Sequence, residues 1–171
     1  HHYYNIPNWG YGATSDSLEP DWQAGFEAGM MTFFSQMGGS NLCHDVGYLE
    51  FGLTNNLLEV VLCNEMIDQI RRIHQGIPID ENTLALDVIK DVGLKKGDYL
   101  AHNHTVKNLR KTQWRPKLLS RIGTEKWIEQ GKKSIIDRAK SKLDDILNKH
   151  KPKPIDNKKL SQINTLLKNF K

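Results

Sequence analysis

This chain is poor in cysteine, in long apolar runs and in positive charge over its first half. Cys43 and Cys63 are its only cysteines and form no CxxC pair, which excludes a disulfide framework and the usual zinc spacings. Free thiols in a reducing cytoplasm are expected. No run nears the roughly 20 apolar residues that a membrane span needs, and no basic-then-apolar leader opens the sequence. No lysine precedes Lys90, and the first 100 residues hold 14 of the 20 acidic side chains but only five basic ones, Arg71, Arg72, Lys90, Lys95 and Lys96. The other 19 basic residues crowd the second part. Phe170 is the only aromatic residue from Lys132 onward, and single-strand nucleic-acid binders need stacking platforms. The basic tail therefore reads as a solvated helix face rather than a nucleic-acid surface. Gly10-Tyr11-Gly12 lacks the GxGxxG pattern and the Gly-Lys-Ser/Thr ending of phosphate loops. Ser15 has no evident base, which argues against a hydrolase triad.

What is there suits one globular domain: 171 residues, 38% apolar and 26% charged. The opening His1-His2-Tyr3-Tyr4 has no initiator Met, and a fragment of a longer protein is expected. Residues 1 to 4 read as the end of a helix. Ile6 to Gly12 reads as a strand entering a glycine-rich loop. Trp22, Phe26, Met30, Phe33 and Phe34 recur at helical spacing, with Pro20 in the first turn and Gly38-Gly39 as the stop. Trp22 is expected in the core. Leu42 to Val46 is a second strand, and Tyr48 to Asn55 a loop. Asn56 caps a long helix striped by Leu58, Val61, Leu62, Met66, Ile70 and Ile73. Asp80 caps the next, over Thr83 to Val92. Tyr99 to Ala101 reads as a third strand, Thr105 to Lys111 as a short helix and Thr124 to Lys149 as one long helix. Lys151-Pro152-Lys153-Pro154 is a linker before a last helix capped by Asp156. The chain thus divides into βα units over 1–122, a long helix over 123–150 and a linker with a short helix over 151–171.

Few, short strands separated by helices predict an α/β fold with parallel βα units. About three strands cannot close a barrel, which needs eight. The alternatives are a small open sheet or a piece of a larger barrel. In either, polar residues at the C-terminal strand ends carry the chemistry. This draws attention to His44-Asp45 before Gly47, to the aromatics Trp9, Tyr11 and Tyr48, to Gly12, where backbone approaches a ligand closely, and to His102 and His104 on one face of the third strand. A bland reading stands beside each: Asp45 ties the next loop, His44 is a satisfied core histidine, and the aromatics pack. A metal would need three or four converging ligands, and no such site is expected.

The order of motifs carries a resemblance. Tyr3-Tyr4-Asn5-Ile6-Pro7 is followed by Gly12-Ala13-Thr14-Ser15-Asp16-Ser17, then by Asp21, Gln23-Ala24 and Glu27, and by Gly38 to Gly47 with His44-Asp45. Asn64-Glu65-Met66-Ile67, Ile70-Arg71-Arg72, Thr83 to Ile89, His102-Asn103-His104-Thr105 and Trp114-Arg115-Pro116-Lys117-Leu118 follow in turn. In this set, over residues 1 to about 149, the chain resembles the C-terminal part of the trimethylamine methyltransferase family. The resemblance implies the C-terminal portion of a TIM (β/α)8 barrel. It implies transfer of a methyl group from trimethylamine or a quaternary amine such as a betaine to the Co(I) of a partner corrinoid protein, so that no cofactor is bound directly. Some members carry pyrrolysine and use trimethylamine. Others lack it and use betaines, and this sequence shows none. His44 and Asp45 would be the catalytic pair, and Trp9, Tyr11, Gly12, Tyr48, His102 and His104 would bind the amine, aromatic faces holding a cation that offers no N–H. A cytoplasmic homo-oligomer with neither nucleic acid nor membrane as a partner completes the expectation. Two other classes remain open: a non-catalytic module that binds quaternary amines, and a helical interaction domain with a basic tail.

Overall fold

The computed structural model describes residues 1, 3–95 and 97–170. His2, within the helix end expected at residues 1 to 4, and Lys171, the last residue of the terminal unit, lie outside the described residues. Residues 3–5 form a turn.

A parallel βα unit begins the chain. Strand β1 (Trp9–Tyr11) runs beside β2 (Leu42–His44), with Trp9 opposite Leu42 and Tyr11 opposite His44. Helix α1 (Trp22–Met37) makes the crossover. Asp21 caps it by accepting the Ala24 N–H, and Gly38 is its C-cap. The residues that α1 buries are small: Ala24, Ala28 and Thr32. Gly29 lets the helix approach so closely that a Cβ there would stand 3.3 Å from the Met66 sulfur. The bulky stripe lies on the other side, with Trp22 74% exposed and stacked edge-on against Phe26. Trp22 is therefore not core, because two helices this close leave room only for alanine-sized side chains.

The segment expected as a loop is a small antiparallel hairpin of β3 (Tyr48–Leu49) and β4 (Thr54–Asn55). Glu50, Phe51 and Gly52 between them all have positive φ, at 51°, 55° and 84°, which turns the chain tightly enough to pair its ends. Helix α2 (Leu57–His74) follows. The Asn56 side chain accepts from the Leu58 and Glu59 N–H groups, and Arg71, Arg72 and His74 fill the last turn, where they complement the helix dipole. Its innermost side chains are Glu59, Cys63, Glu65 and Ile70, so two carboxyls sit where a hydrophobic stripe places only apolar groups.

Three expectations fail in the second part. The helix over Thr83 to Val92 is broken into α3 (Glu81–Leu84) and α4 (Leu86–Val88), followed by a π turn at Ile89–Gly93. Asp80 and Thr83 form a capping box, and Ala85 then adopts a left-handed conformation. No strand forms at Tyr99 to Ala101, because the Asp98 carboxylate accepts the Leu100 N–H and turns the chain into α5 (Asn103–Thr112). The long helix is split into α6 (Thr124–Glu129) and α7 (Ile135–Lys149). Gly131 and Lys132 have positive φ, and a second capping box, Ser134 with Asp137, starts α7 afresh. Helix α8 (Asn157–Asn169) is capped by Asp156 as expected. Among the described residues no helix is long and apolar enough to cross a membrane.

Helices α1, α2 and α7 pack in sequence, α2 between the other two. A polar clamp joins them. Glu65 Oε1, on a side chain only 3% exposed, accepts the backbone N–H groups of Lys117, Leu118 and Leu119 at 2.7, 2.8 and 3.2 Å. Arg138 of α7 donates to the carbonyls of Leu118 and Lys133, each at 2.6 Å. Replacing Glu65 with Ala strands three amides, and the expected loss is ~3 kcal/mol of stability, read as a lower urea midpoint with unchanged slope. A change under ~1 kcal/mol would show that the clamp is not needed.

Candidate functional site

The helices cover one face of the β1–β2 pair. Gly10 and Cys43 point to that side: a Cβ on Gly10 would meet Ser35 and Ser40, and Cys43 Sγ accepts from Gln36 Nε2 of α1. By strand alternation Trp9, Tyr11, Leu42 and His44 occupy the opposite face, and the register sets them side by side. The His44 ring lies 4.9 Å from the Trp9 ring and 5.5 Å from the Tyr11 ring, centroid to centroid. Trp9 is 66% exposed and Tyr11 61%. Three rings thus form an open aromatic face, with Tyr11 and His44 at the C-terminal ends of the strands; Trp9, expected there too, instead opens β1, because the strand begins only at that residue.

Asp45 anchors the ring of His44. Its Oδ2 lies 2.7 Å from His44 Nδ1, which leaves Nε2 directed elsewhere. Asp45 takes a left-handed φ of 62° and Gly47 one of 80°. A strand end held in that conformation turns the carboxylate back onto the preceding residue, a geometry that Asp tolerates better than branched side chains. Gly12 belongs to the same construction: a Cβ there would lie 2.0 Å from the His44 carbonyl oxygen. Gly12→Ala is therefore expected to displace the His44-Asp45 turn and to cost about 1–3 kcal/mol, read by thermal unfolding and by loss of the ring contacts in a structure of the variant.

The loop after β1 is held from α1. Glu27 Oε2 accepts from the Ser15 hydroxyl at 2.6 Å and the Asp16 N–H at 2.9 Å, while Oε1 accepts from Gln23 Nε2. These bonds, with the Ser15 hydroxyl first, keep the Glu27 carboxyl below its ordinary pKa. The Ser15 hydroxyl is thus bound to a carboxylate rather than to a histidine. No spacing rule links positions 15 and 27, and in the sequence Glu27 has a place in the motif order but no role.

The remaining expected ligands lie on other elements. Tyr48 is half-buried in the hairpin, where its carbonyl accepts the Ser15 N–H. His102 is the N-cap of α5, its Nδ1 accepting the His104 N–H, with its Nε2 3.8 Å from Asp91. His104, on α5, has its Nε2 2.6 Å from the carbonyl of Asn82. The expectation that the two histidines share a strand face fails with the strand itself: one caps a helix and the other lies within it. Among the described residues no three His, Cys, Asp or Glu side chains gather as a metal site.

Burial has selected one more acid. Glu59 is 2% exposed, and its Oε1 accepts from Cys63 Sγ at 3.3 Å. Desolvation pushes its carboxyl above the ordinary 4.5, and burial together with that carboxyl pushes the Cys63 thiol up as well. The proton stays with the folded form, so the associated stability is fully present below pH 4.5 and is lost as pH rises through the raised value. Glu59→Gln removes this dependence. Its unfolding midpoint is expected to gain on the parent protein steadily above pH 4.5, and parallel midpoints from pH 4 to 8 would refute a raised pKa.

The sequence matches the family profile "Trimethylamine methyltransferase (MTTB)" over residues 1–169. The chain belongs to that family. It is 36% identical to the trimethylamine methyltransferase MttB of Desulfitobacterium hafniense over 91% of its own length and 31% of that protein. To the MttB of Methanosarcina barkeri it is 34% identical, over 90% of this chain and 31% of the relative. It is also similar to a glycine betaine methyltransferase from Desulfitobacterium hafniense strain Y51, at 28% identity over 90% of this chain and 32% of that protein. The chain thus spans about a third of the length of the curated relatives it matches. The segments that carried the resemblance include Gly12 and the His44-Asp45 turn.

Proposed function

We propose that this chain is part of a methyltransferase that takes a methyl group from trimethylamine or a quaternary amine such as a betaine. The acceptor is the Co(I) of a corrinoid carried by a partner protein, which supplies the nucleophile for an in-line displacement. The observation that carries the reading is the packing of the Trp9 and Tyr11 rings against a carboxylate-anchored His44. A quaternary ammonium presents only C–H bonds, and aromatic rings attract it through their negative faces. Family membership supports the reaction class.

In this reading Trp9 and Tyr11 hold the cation and exclude water from one side of it. Asp45 accepts from His44 Nδ1 and fixes the ring, with the tautomer assigned from that contact. Nε2 then faces the ligand, and in the imidazolium form it donates to a betaine carboxylate or to the leaving nitrogen. Gly12 keeps the His44 backbone in place.

The same reading makes the chain the C-terminal portion of a (β/α)8 barrel. Parallel β1 and β2, joined by α1, have helices on one face and aromatics on the other, as a barrel wall does, and parallel sheets are found covered on both faces. The outward Phe26, Met30 and Phe34 of α1 then meet a neighbouring barrel unit. A cytoplasmic homo-oligomer that docks a corrinoid protein over the strand ends completes the proposal.

The test uses the full-length protein with a reduced corrinoid protein and either trimethylamine or glycine betaine, following methyl-cobalt formation by absorbance. One amine is expected to turn over. Trp9→Ala should raise KM about 3- to 30-fold, the range of a desolvated cation–π contact, and His44→Ala should lower kcat. Unchanged kcat/KM in both variants would overturn the site assignment. Betaine binding without methyl transfer would make the protein a non-catalytic amine-binding module.

A further inference from the structure

Helix α8 is an amphipathic helix that buries none of its residues against the rest of the described structure. Leu160, Ile163, Leu167 and Phe170 line one side, and every described residue from Ile146 onward is exposed. A helix of 13 residues is marginal in water unless its apolar side is covered. The segment before it, Lys151-Pro152-Lys153-Pro154, has no regular structure. Two prolines in four residues make it an extended, semi-rigid spacer that holds α8 away from its own body.

Charge indicates what covers it. From Lys151 to the end the chain carries six lysines against one acid, Asp156. Before Arg71 it carries nine acidic residues and neither lysine nor arginine, and this stretch supplies β1, α1 and most of α2. Between α1, α2 and α7 lies a groove of about 380 Å³, with apolar walls that include Leu62, Met66 and Ile135, and with the exposed Asp21 beside Trp22 in its lining. It takes a few aliphatic side chains, beside an acidic surface suited to lysines. The protein therefore has both halves of one interface, a basic amphipathic arm and an acid-flanked apolar groove, unjoined within a single chain.

We propose that α8 is an exchanged arm: its Leu160, Ile163 and Leu167 side enters the α1–α2–α7 groove of a second copy of this chain, with Lys158 and Lys159 facing the acidic surface beside it. An exchange of identical arms between two copies gives a closed, two-fold assembly. The inference is independent of the chemistry proposed for the strand ends.

The test is the mass of the full-length protein by sedimentation velocity over a concentration series, at low salt and at high salt. A dimer or larger assembly is expected. Ile163→Glu with Leu167→Glu should weaken association at least 10-fold, and Lys158→Glu with Lys159→Glu should weaken it and remove most of its salt dependence. Both pairs lie on an exposed helix, and circular dichroism with the thermal midpoint verifies that the body stays folded. Separately tagged copies carrying Ile163→Cys or Met66→Cys should cross-link to one another, with each single variant as the control. Four results would overturn the proposal: a monomer at all concentrations, unchanged association in both pairs, cross-linking only within one chain of a double variant, or binding of α8 to phosphatidylglycerol vesicles with no effect of the substitutions on mass.

Discussion

The rest of the structure depends on how closely α1 approaches α2. Only alanine-sized groups fit between them, so Ala24, Ala28 and Thr32 go inside and the aromatic stripe of the same helix goes outside. With α1 committed to α2 on one side and to the strands on another, the sheet face that carries Trp9, Tyr11 and His44 is left uncovered. The position of the candidate site is thus a by-product of helix packing. Each ring projects from a strand whose opposite side is filled by Gly10, Cys43, Ser35 of α1 and Ser40.

The inner side of α2 shows a second consequence. A helix clamped between two others buries whatever points inward, and here that includes Glu59 and Glu65. The two acids meet burial differently. Glu65 remains satisfied by three amides of a neighbouring loop, an anion site built from backbone in the manner of a nest. Glu59 has a thiol as its hydrogen-bond donor, and desolvation pushes its carboxyl above the ordinary carboxylate value. One helix thus uses both available solutions to a buried acid, less than two turns apart.

Much of the fold was legible where its signals are local. Asp21, Asn56, Asp80 and Asp156 cap helices as their residue types predict, Gly38 ends α1, and the β1–α1–β2 order appears as a parallel pair. Trp9, Tyr11, His44 and Asp45 come together because strand register is a period-two property that sequence displays directly. The failures have a different physics. Trp22 was misplaced because periodicity identifies a stripe without saying which side of the helix is inside. Tyr99 to Ala101 is apolar enough for a strand, but the Asp98 carboxylate captures the Leu100 amide first. The break at Gly131 and Lys132 rests on left-handed backbone and a capping box that begin a new helix where charge pattern and apolar spacing run on unbroken. The role of Glu27 depends on contacts across 11 and 12 positions, beyond any spacing rule.

The three-residue loop at 117–119 is gripped from two directions, its amides by Glu65 and the Leu118 carbonyl by Arg138. Acid and base, one on α2 and the other on α7, hold the same run of peptide groups. A loop held in this way acts as a rigid strut, and it fixes the heading of α7. Everything beyond α7 inherits that heading, so a tilt of a few degrees at the strut would be magnified along the length of the C-terminal arm.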